Sequence, residues 1–346
     1  MLGRSALLGA TNSTTPGFGA KYANTAGISS NGGGVMFSGD GTALAVGIDV
    51  FPFAMAVKWS DAAGFGGTYS PSVSGTASYA QGNNIAFSPN SNAIASTAMS
   101  GANRTVVWPW SASGFGGIYA SPTTVPSDLT EGIAFSPDGN YIAISQSRSP
   151  LVNVYNWSAT GFGSRFANPS PGMSNANAYA VTFSPSSNAI IIGEENSPYI
   201  HAYQWSALGF GTKFSNPASL PSATSCGVSF HPSGNAIAFA AFYDYRFCIY
   251  SWSASGFGTR SVNPDSATSY VWSTAFSPDG KYIALGFESP PYVKVYEWTG
   301  SSLGTSYTPV VTPTGPARAV AFNPTGTALA VAHSTSPFLS VYKWNS

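Results

Sequence analysis

The sequence predicts an all-β fold, a seven-bladed β-propeller of four-stranded antiparallel blades. Three observations carry that expectation. A unit of 46 to 51 residues recurs seven times, glycine and proline punctuate short apolar runs throughout, and one strand of each unit is apolar on both faces. Three markers keep the period. The Phe of a Gly-Phe-Gly segment falls at Phe18, Phe65, Phe115, Phe162, Phe210 and Phe257, with Leu303 in the seventh place. A second Phe, opening an FSPDG-like turn, falls at Phe37, Phe87, Phe135, Phe183, Phe230, Phe276 and Phe322. A Trp closes each unit at Trp59, Trp110, Trp157, Trp205, Trp252, Trp298 and Trp344.

Taken in chain order, residues 1–15 read as a polar tail and residues 16–346 as the propeller. A fifteen-residue polar tail is ordered only when something holds it, so it is expected to dock on a partner or sister subunit. The repeat begins with a lone fourth strand, Gly17–Tyr22. Each complete unit then supplies four strands, as in VWSTAFSPDGKYIALGF: one strand ending at Phe276, a turn over Ser277–Gly280, and a second strand from Tyr282. Pro-Asp-Gly is turn chemistry, because Pro fixes φ and Gly accepts φ > 0. YVKVYEW is the third strand, and SLGTSY, like its GFGTKF equivalents, the fourth. The chain ends on a lone third strand, Leu339–Trp344, so the last blade is expected to borrow the first strand and close the ring.

Positions within the unit support this reading. Three residues before the second marker Phe stand Gly34, Asn84, Gly132, Ala180, Gly227, Ser273 and Ala319, small as a strand crowded at an axis requires. In the third strand the residue two before the Trp is aromatic in six units (Trp108, Tyr155, Tyr203, Tyr250, Tyr296, Tyr342), and the one before that is Ala, Val or Ile. A sheet with two apolar faces must be covered twice, and a ring of sheets does so blade upon blade. Gly-Phe-Gly is read as the tight way into the outer strand, its Phe covering the rim.

Charged residues are 8% of the chain, far below the roughly one quarter typical of soluble proteins, and thirteen basic residues balance thirteen acidic ones. No long-range field is expected to draw nucleic acid or anionic lipid. Two cysteines, Cys226 and Cys248, form no framework and are expected to be buried free thiols. The first fifteen residues hold too short an apolar run for a signal peptide, and no stretch is long enough to insert in a membrane. The expected setting is a virion or the extracellular space, reached by lysis.

The segments AFSPDGKYIALGF and VKVYEW resemble the unit of WD-repeat propellers, over about residues 16 to 346. The sequence departs from that family where Ser, Thr or Asn, never Asp, follows the Trp, and no Gly-His pair opens the repeats. The Gly-Phe-Gly variant with its charge-poor surface is similar to propellers of tailed bacteriophages and their bacterial hosts. That resemblance implies virion structure (capsid decoration, tail or tail fibre), host recognition or adhesion.

No constellation for catalysis stands out, and no cofactor is implied. His201, His231 and His333 occupy different repeat positions, and no metal-ligand spacing or calcium loop occurs, so they are read as polar or turn residues and no metal is expected. Glu194–Glu195 is the only adjacent acidic pair and is read as a solvated loop, since adjacent strand residues face opposite ways. Lys21, Arg165, Lys213 and Arg260 share one register of the outer strand and are read as a solvated guard against edge-to-edge aggregation.

Function is therefore expected on the loops, where the blade-to-blade connections vary most. On that face, four residues before the second marker Phe, stand Glu131, Tyr179, Trp272 and Arg318, and adjacent loops add Tyr79, Asp128, Tyr243 and Tyr270. Aromatic rings among polar groups suit a protein patch or a surface glycan. The expectation is a non-catalytic structural and binding protein that makes protein-protein contacts within a larger assembly, with glycan binding as the alternative.

Overall fold

A computed structural model describes residues 15–24, 27–28, 30–50, 53–71, 84–97, 105–173, 176–241, 247–261 and 269–346. Seven four-stranded antiparallel sheets stand in a ring, and no helix occurs among the described residues. Six blades are sequential meanders. The seventh joins Gly17–Lys21 to Leu339–Asn345, Ala328–His333 and Ala317–Phe322. In it Gly17 lies opposite Asn345 and Phe18 opposite Trp344, and the Tyr22 N–H donates to the Val341 carbonyl at 2.8 Å. The closure expected from the two incomplete ends is the observed one. The docking segment expected over residues 1–15 lies, but for Thr15, outside the described residues.

The turn between the first two strands of a blade is built by a hydroxyl. Ser38, Ser88, Ser136, Ser184 and Ser277 each accept, through Oγ, the backbone N–H five residues on, and Asn323 Oδ1 does the same in the seventh blade. The turn then needs a residue with φ > 0, which is Gly41, Gly139, Gly234, Gly280 and Gly326 in five blades but Ser91 (φ 51°) and Ser187 (φ 55°) in the other two. A left-handed L-residue costs about 1–2 kcal/mol, partly offset by glycine's larger unfolded-state entropy. Ser91→Gly should therefore raise the urea-unfolding free energy by about 0.5–1 kcal/mol.

The repeated Trp and Gly-Phe-Gly are two halves of one blade-to-blade joint. Six of the seven Trp residues meet the Phe of their own Gly-Phe-Gly edge-on, with centroids 5.0 Å apart for Trp205–Phe210 and Trp252–Phe257, while Trp298 has Leu303 in that place. The same six also meet an aromatic at the end of the preceding blade's outer strand: Tyr22 on Trp59, Tyr69 on Trp110, Tyr119 on Trp157, Phe166 on Trp205, Phe214 on Trp252 and Tyr307 on Trp344. The same rings press on the first glycine of the motif. A Cβ at Gly64 would lie 2.6 Å from Tyr22, at Gly114 2.6 Å from Tyr69, and at Gly256 2.8 Å from Phe214, and all three residues have positive φ. The second glycine makes room for the residue before the Trp, as Gly66 does for Lys58 at 2.8 Å. The sixth blade is the exception that fits the rule. Ser261 replaces the aromatic of the preceding blade, and Ser302 replaces the glycine it would have pressed on.

One blade-to-blade contact centres on a carboxylate of an outer turn. Asp61, in the outer turn of the first blade, accepts from Asn323 Nδ2 (2.7 Å), Thr325 Oγ1 (2.6 Å), Thr327 Oγ1 (2.9 Å) and Trp59 Nε1 (2.9 Å). Burial opposes its charge, and these hydrogen bonds outweigh the burial to hold its carboxyl below the ordinary range. The equivalent positions in the next five blades are Ala112, Ala159, Ala207, Ala254 and Gly300.

Three sequence expectations are corrected. Glu194 is not solvated: it is fully buried, with His201 Nε2 2.5 Å from its Oε1 on the neighbouring strand. His333 is likewise a buried strand residue, and burial lowers its pKa to about 4. The basic belt lies on outer edge strands, but its side chains are half-buried and not fully solvated. Arg165 donates from Nε to Asn153 Oδ1 (2.8 Å), Arg260 reaches the Leu220 carbonyl (3.3 Å), and burial lowers the pKa of Lys21 and Lys213.

Candidate functional site: the axial mouth

The face carrying the blade-to-blade and second-to-third-strand connections is knit by backbone hydrogen bonds between them, such as Glu195 N–H to Asn177 O (2.9 Å) and Glu288 N–H to Tyr270 O (3.0 Å). The buried tyrosines of the third strands fix it from below. Tyr155, Tyr203 and Tyr250 donate their hydroxyls to the carbonyls of Thr124, Pro171 and Ser219 at 2.6–2.9 Å.

At the centre of this face six of the seven innermost strands carry a β-bulge at one register, the described part of the second blade's being regular. In the fourth blade Ala178 lies opposite Glu194 and Ala180 opposite Gly193, so Tyr179 is inserted between consecutive pairs. The same shift inserts Gly33, Cys226, Trp272 and Arg318 in their blades, and a wider one takes in Glu131 and Gly132. An inserted residue rephases the alternation of the strand. Ala180 and Val181 are consecutive and both buried, while Tyr179 and Thr182 are both half-buried and face the axis. The bulge therefore turns the residue four before the marker Phe into the channel. Crowding beside it explains the small residues one step on: a Cβ at Gly34 would lie 3.0 Å from Asn84 Cα, and at Gly132 3.0 Å from Ala180 Cα.

The inserted residues line one axial channel of about 710 Å³, with Asn31, Asp49 and Asn84 beside them at its mouth and Met36, Ala134, Thr182 and Ala321 deeper in its wall. Four of the eight expected site residues, Glu131, Tyr179, Trp272 and Arg318, meet there. Asp128 and Tyr270 do not line the channel. Asp128 pairs with Arg148 Nε at 3.6 Å, and the Tyr270 carbonyl accepts from the Glu288 N–H at 3.0 Å. Tyr79 and Tyr243 lie outside the described residues. Sequence reasoning passed over Cys226, although it shares the register of the four, and passed over Asp49 and Glu288, whose strand ends reach the mouth only once the sheets are assembled.

The mouth is electrostatically uneven. The Arg318 guanidinium lies 3.7 Å from the centroid of the Trp272 ring, and its Nη1 is 3.3 Å from Glu288 Oε2. Trp272 Nε1 donates to the same Glu288 oxygen at 2.6 Å, so ring, guanidinium and carboxylate hold one another in place. Burial raises the pKa of Asp49, against a hydrogen bond from Asn31 and the attraction of Arg318. Glu131 is buried, and its carbonyl accepts from Thr97 Oγ1 at 2.9 Å. Cys226 is a free thiol whose Sγ–H points at the Val271 carbonyl (3.2 Å), and burial pushes its pKa up, which makes it a poor nucleophile. The second free thiol, Cys248, is buried in the sheet. Among the described residues no three His, Cys, Asp or Glu side chains gather as metal ligands. What the arrangement offers is a rigid backbone ring that presents different side chains at equivalent points.

No protein-family model matches the chain, and no curated protein matches it in sequence.

Proposed function

We propose that this protein is a non-catalytic structural and binding protein of a larger particle, of the kind found in the virions of tailed bacteriophages, that meets its partner through the face around the axial mouth. The observation that carries this reading is the repeated bulge. Backbone geometry is held constant in blade after blade while the inserted residue changes from Gly33 to Glu131, Tyr179, Cys226, Trp272 and Arg318. A scaffold that fixes positions and varies identities is built for recognition. The charge-poor composition fits contacts that do not depend on ion pairs, since such contacts are little affected by salt. The likeness of the Gly-Phe-Gly repeats to phage propellers supports the virion setting.

A second reading, a carbohydrate-binding adhesin, is favoured by one specific observation: two aromatic residues of the mouth, Tyr179 and Trp272, stand among groups able to hydrogen-bond hydroxyls. Electron microscopy of the native particle distinguishes the settings. A seven-fold ring at a fixed, stoichiometric place on the particle is the expected result. Purified particles that lack the protein altogether would overturn the structural assignment.

A further inference from the structure

Three positions of each blade decide what its outer rim offers: the residue before the Trp, the residue after Gly-Phe-Gly, and the one after that. In six blades at least one of them is charged, through Lys58, Arg165, Lys213, Arg260, Glu297 or Lys21, whereas the second blade has Pro109, Gly117 and Ile118. Charged side chains on an outer strand keep it from pairing with another chain. The second blade lacks that guard.

Its edge is also bare. The outer strand starts at Gly114–Phe115 and stays against its neighbour through the Gly116 N–H on the Pro109 carbonyl (2.8 Å) and the Tyr119 N–H on the Val107 carbonyl (2.9 Å). No strand lies on its other side among the described residues. Ile118 is 46% exposed, while Lys21, Arg165, Lys213 and Arg260 at its register are half-buried. A Cβ at Gly117 would meet nothing within 4 Å, and its φ is not positive, so neither packing nor a turn within the chain calls for glycine. Other blades carry Thr212, Thr259 and Thr305 there. A glycine inside a strand weakens it and marks a place where another backbone comes close.

We propose that this rim, Gly114–Ile118 with Pro109 beside it, pairs antiparallel with the same rim of a second copy of the chain, across a two-fold axis near Gly117. The pairing depends on neither the particle nor the carbohydrate reading. Charge selects both the partner and the blade. A net charge of zero leaves no long-range repulsion between copies. Across a two-fold axis a strand meets itself, so a cation one residue from the axis comes within about 8 Å of its own copy, inside the screening length of about 10 Å. Lys21, Arg165, Lys213 and Arg260 would each meet that repulsion, whereas Ile118 brings one apolar side chain to another. So short a contact falls well below the roughly 1,200 Å² of a stable interface, which makes the pairing weak and reversible.

Sedimentation equilibrium of the full chain from about 0.01 to about 1 mM, at low and at high salt, reads the pairing. The expected result is a monomer–dimer equilibrium with a Kd on the order of 0.1 mM, unchanged by salt. Ile118→Lys, which copies Lys213 of the fourth blade, should weaken it about tenfold or more, and Gly117→Thr, which copies Thr212, should weaken it as well. Both substitutions install residues that the repeat already accepts at those positions, and circular dichroism checks that the fold is kept. Ser306→Lys makes a charge change at the same register of the sixth blade and should leave the constant within about twofold. A monomer throughout, a dimer indifferent to both second-blade variants, one weakened equally by Ser306→Lys, or one that salt dissolves would each overturn the proposal.

Discussion

Removal of residues 1–24 should leave a chain with no cooperative unfolding transition at room temperature. The strand Gly17–Lys21 is the outer strand of the seventh blade, and without it Leu339–Asn345 becomes an open edge with unpaired backbone groups. Two rings leave with it. Phe18 packs edge-on against Tyr342 (5.5 Å) and Trp344 (5.3 Å), and Tyr22 against Trp59 (4.8 Å) in the next blade. At about 1.5–3 kcal/mol for each large side chain withdrawn from water, plus the lost strand pairing, the loss is on the order of 5 kcal/mol. That is comparable to the whole stability of an ordinary domain, roughly 5–15 kcal/mol. Asp61 would still tie the first blade to the turn of the seventh, but three hydrogen bonds at the surface do not replace a strand. Near-ultraviolet circular dichroism during a urea titration reads the result. A truncated chain that melts at the wild-type temperature would show that the ring closes without this strand.

Trp205→Ala should cost about 3–5 kcal/mol, the usual loss for truncating a buried Trp whose surroundings cannot collapse. Four rings enclose Trp205: Phe210 and Phe166 at 5.0 Å, Tyr141 at 5.2 Å and Phe183 at 5.7 Å. Two of these, Tyr141 and Phe166, belong to the preceding blade, so the cavity would open across a blade-to-blade seam. The sixth blade supplies an internal control. Among the described residues the only ring set against Trp298 is Phe276, at 6.2 Å, because Ser261, Ala236 and Leu303 stand where Trp205 meets Phe166, Tyr141 and Phe210. Trp298→Ala should accordingly cost about 1 kcal/mol less than Trp205→Ala, each aromatic pair contributing about 0.5–1.5 kcal/mol beyond buried area. Urea midpoints and slopes for the two variants decide the matter. Equal costs at the two sites would show that the rings of the preceding blade contribute nothing specific.

Most of the architecture is legible in the chain because each structural requirement is written seven times. A single Trp or Pro-Asp-Gly means little, but the same three markers at one period define strands, turns and blade number, and the incomplete ends define the closure. The joint between blades was also written there and was read too narrowly. Ser261 and Ser302 depart from the repeat together, and that paired exception is the signature of a contact between the two positions. The bulge was harder to see. Inserting one residue in a strand changes no composition, and only its outcome, a variable residue followed by a small one, is visible beforehand. Glu194 and His201 could not be paired from sequence, because six residues of hairpin lie between them and their diagonal contact, with His201 opposite Ile192, depends on register. For the mouth, the shared register of Glu131, Tyr179, Trp272 and Arg318 was visible in the repeat, whereas Asp128 and Tyr270, named from the adjacent loops, lie outside the channel lining.

The repeated bulge separates two tasks that most binding sites must solve with the same atoms. Strand pairing on either side holds the ring together, and the inserted side chain takes no part in that pairing, so its chemistry can be exchanged without rewriting the fold. Randomising the codons for Gly33, Tyr179, Cys226, Trp272 and Arg318 would thus generate a library of receptors on one chassis, in which selectivity is programmed by a handful of interchangeable letters.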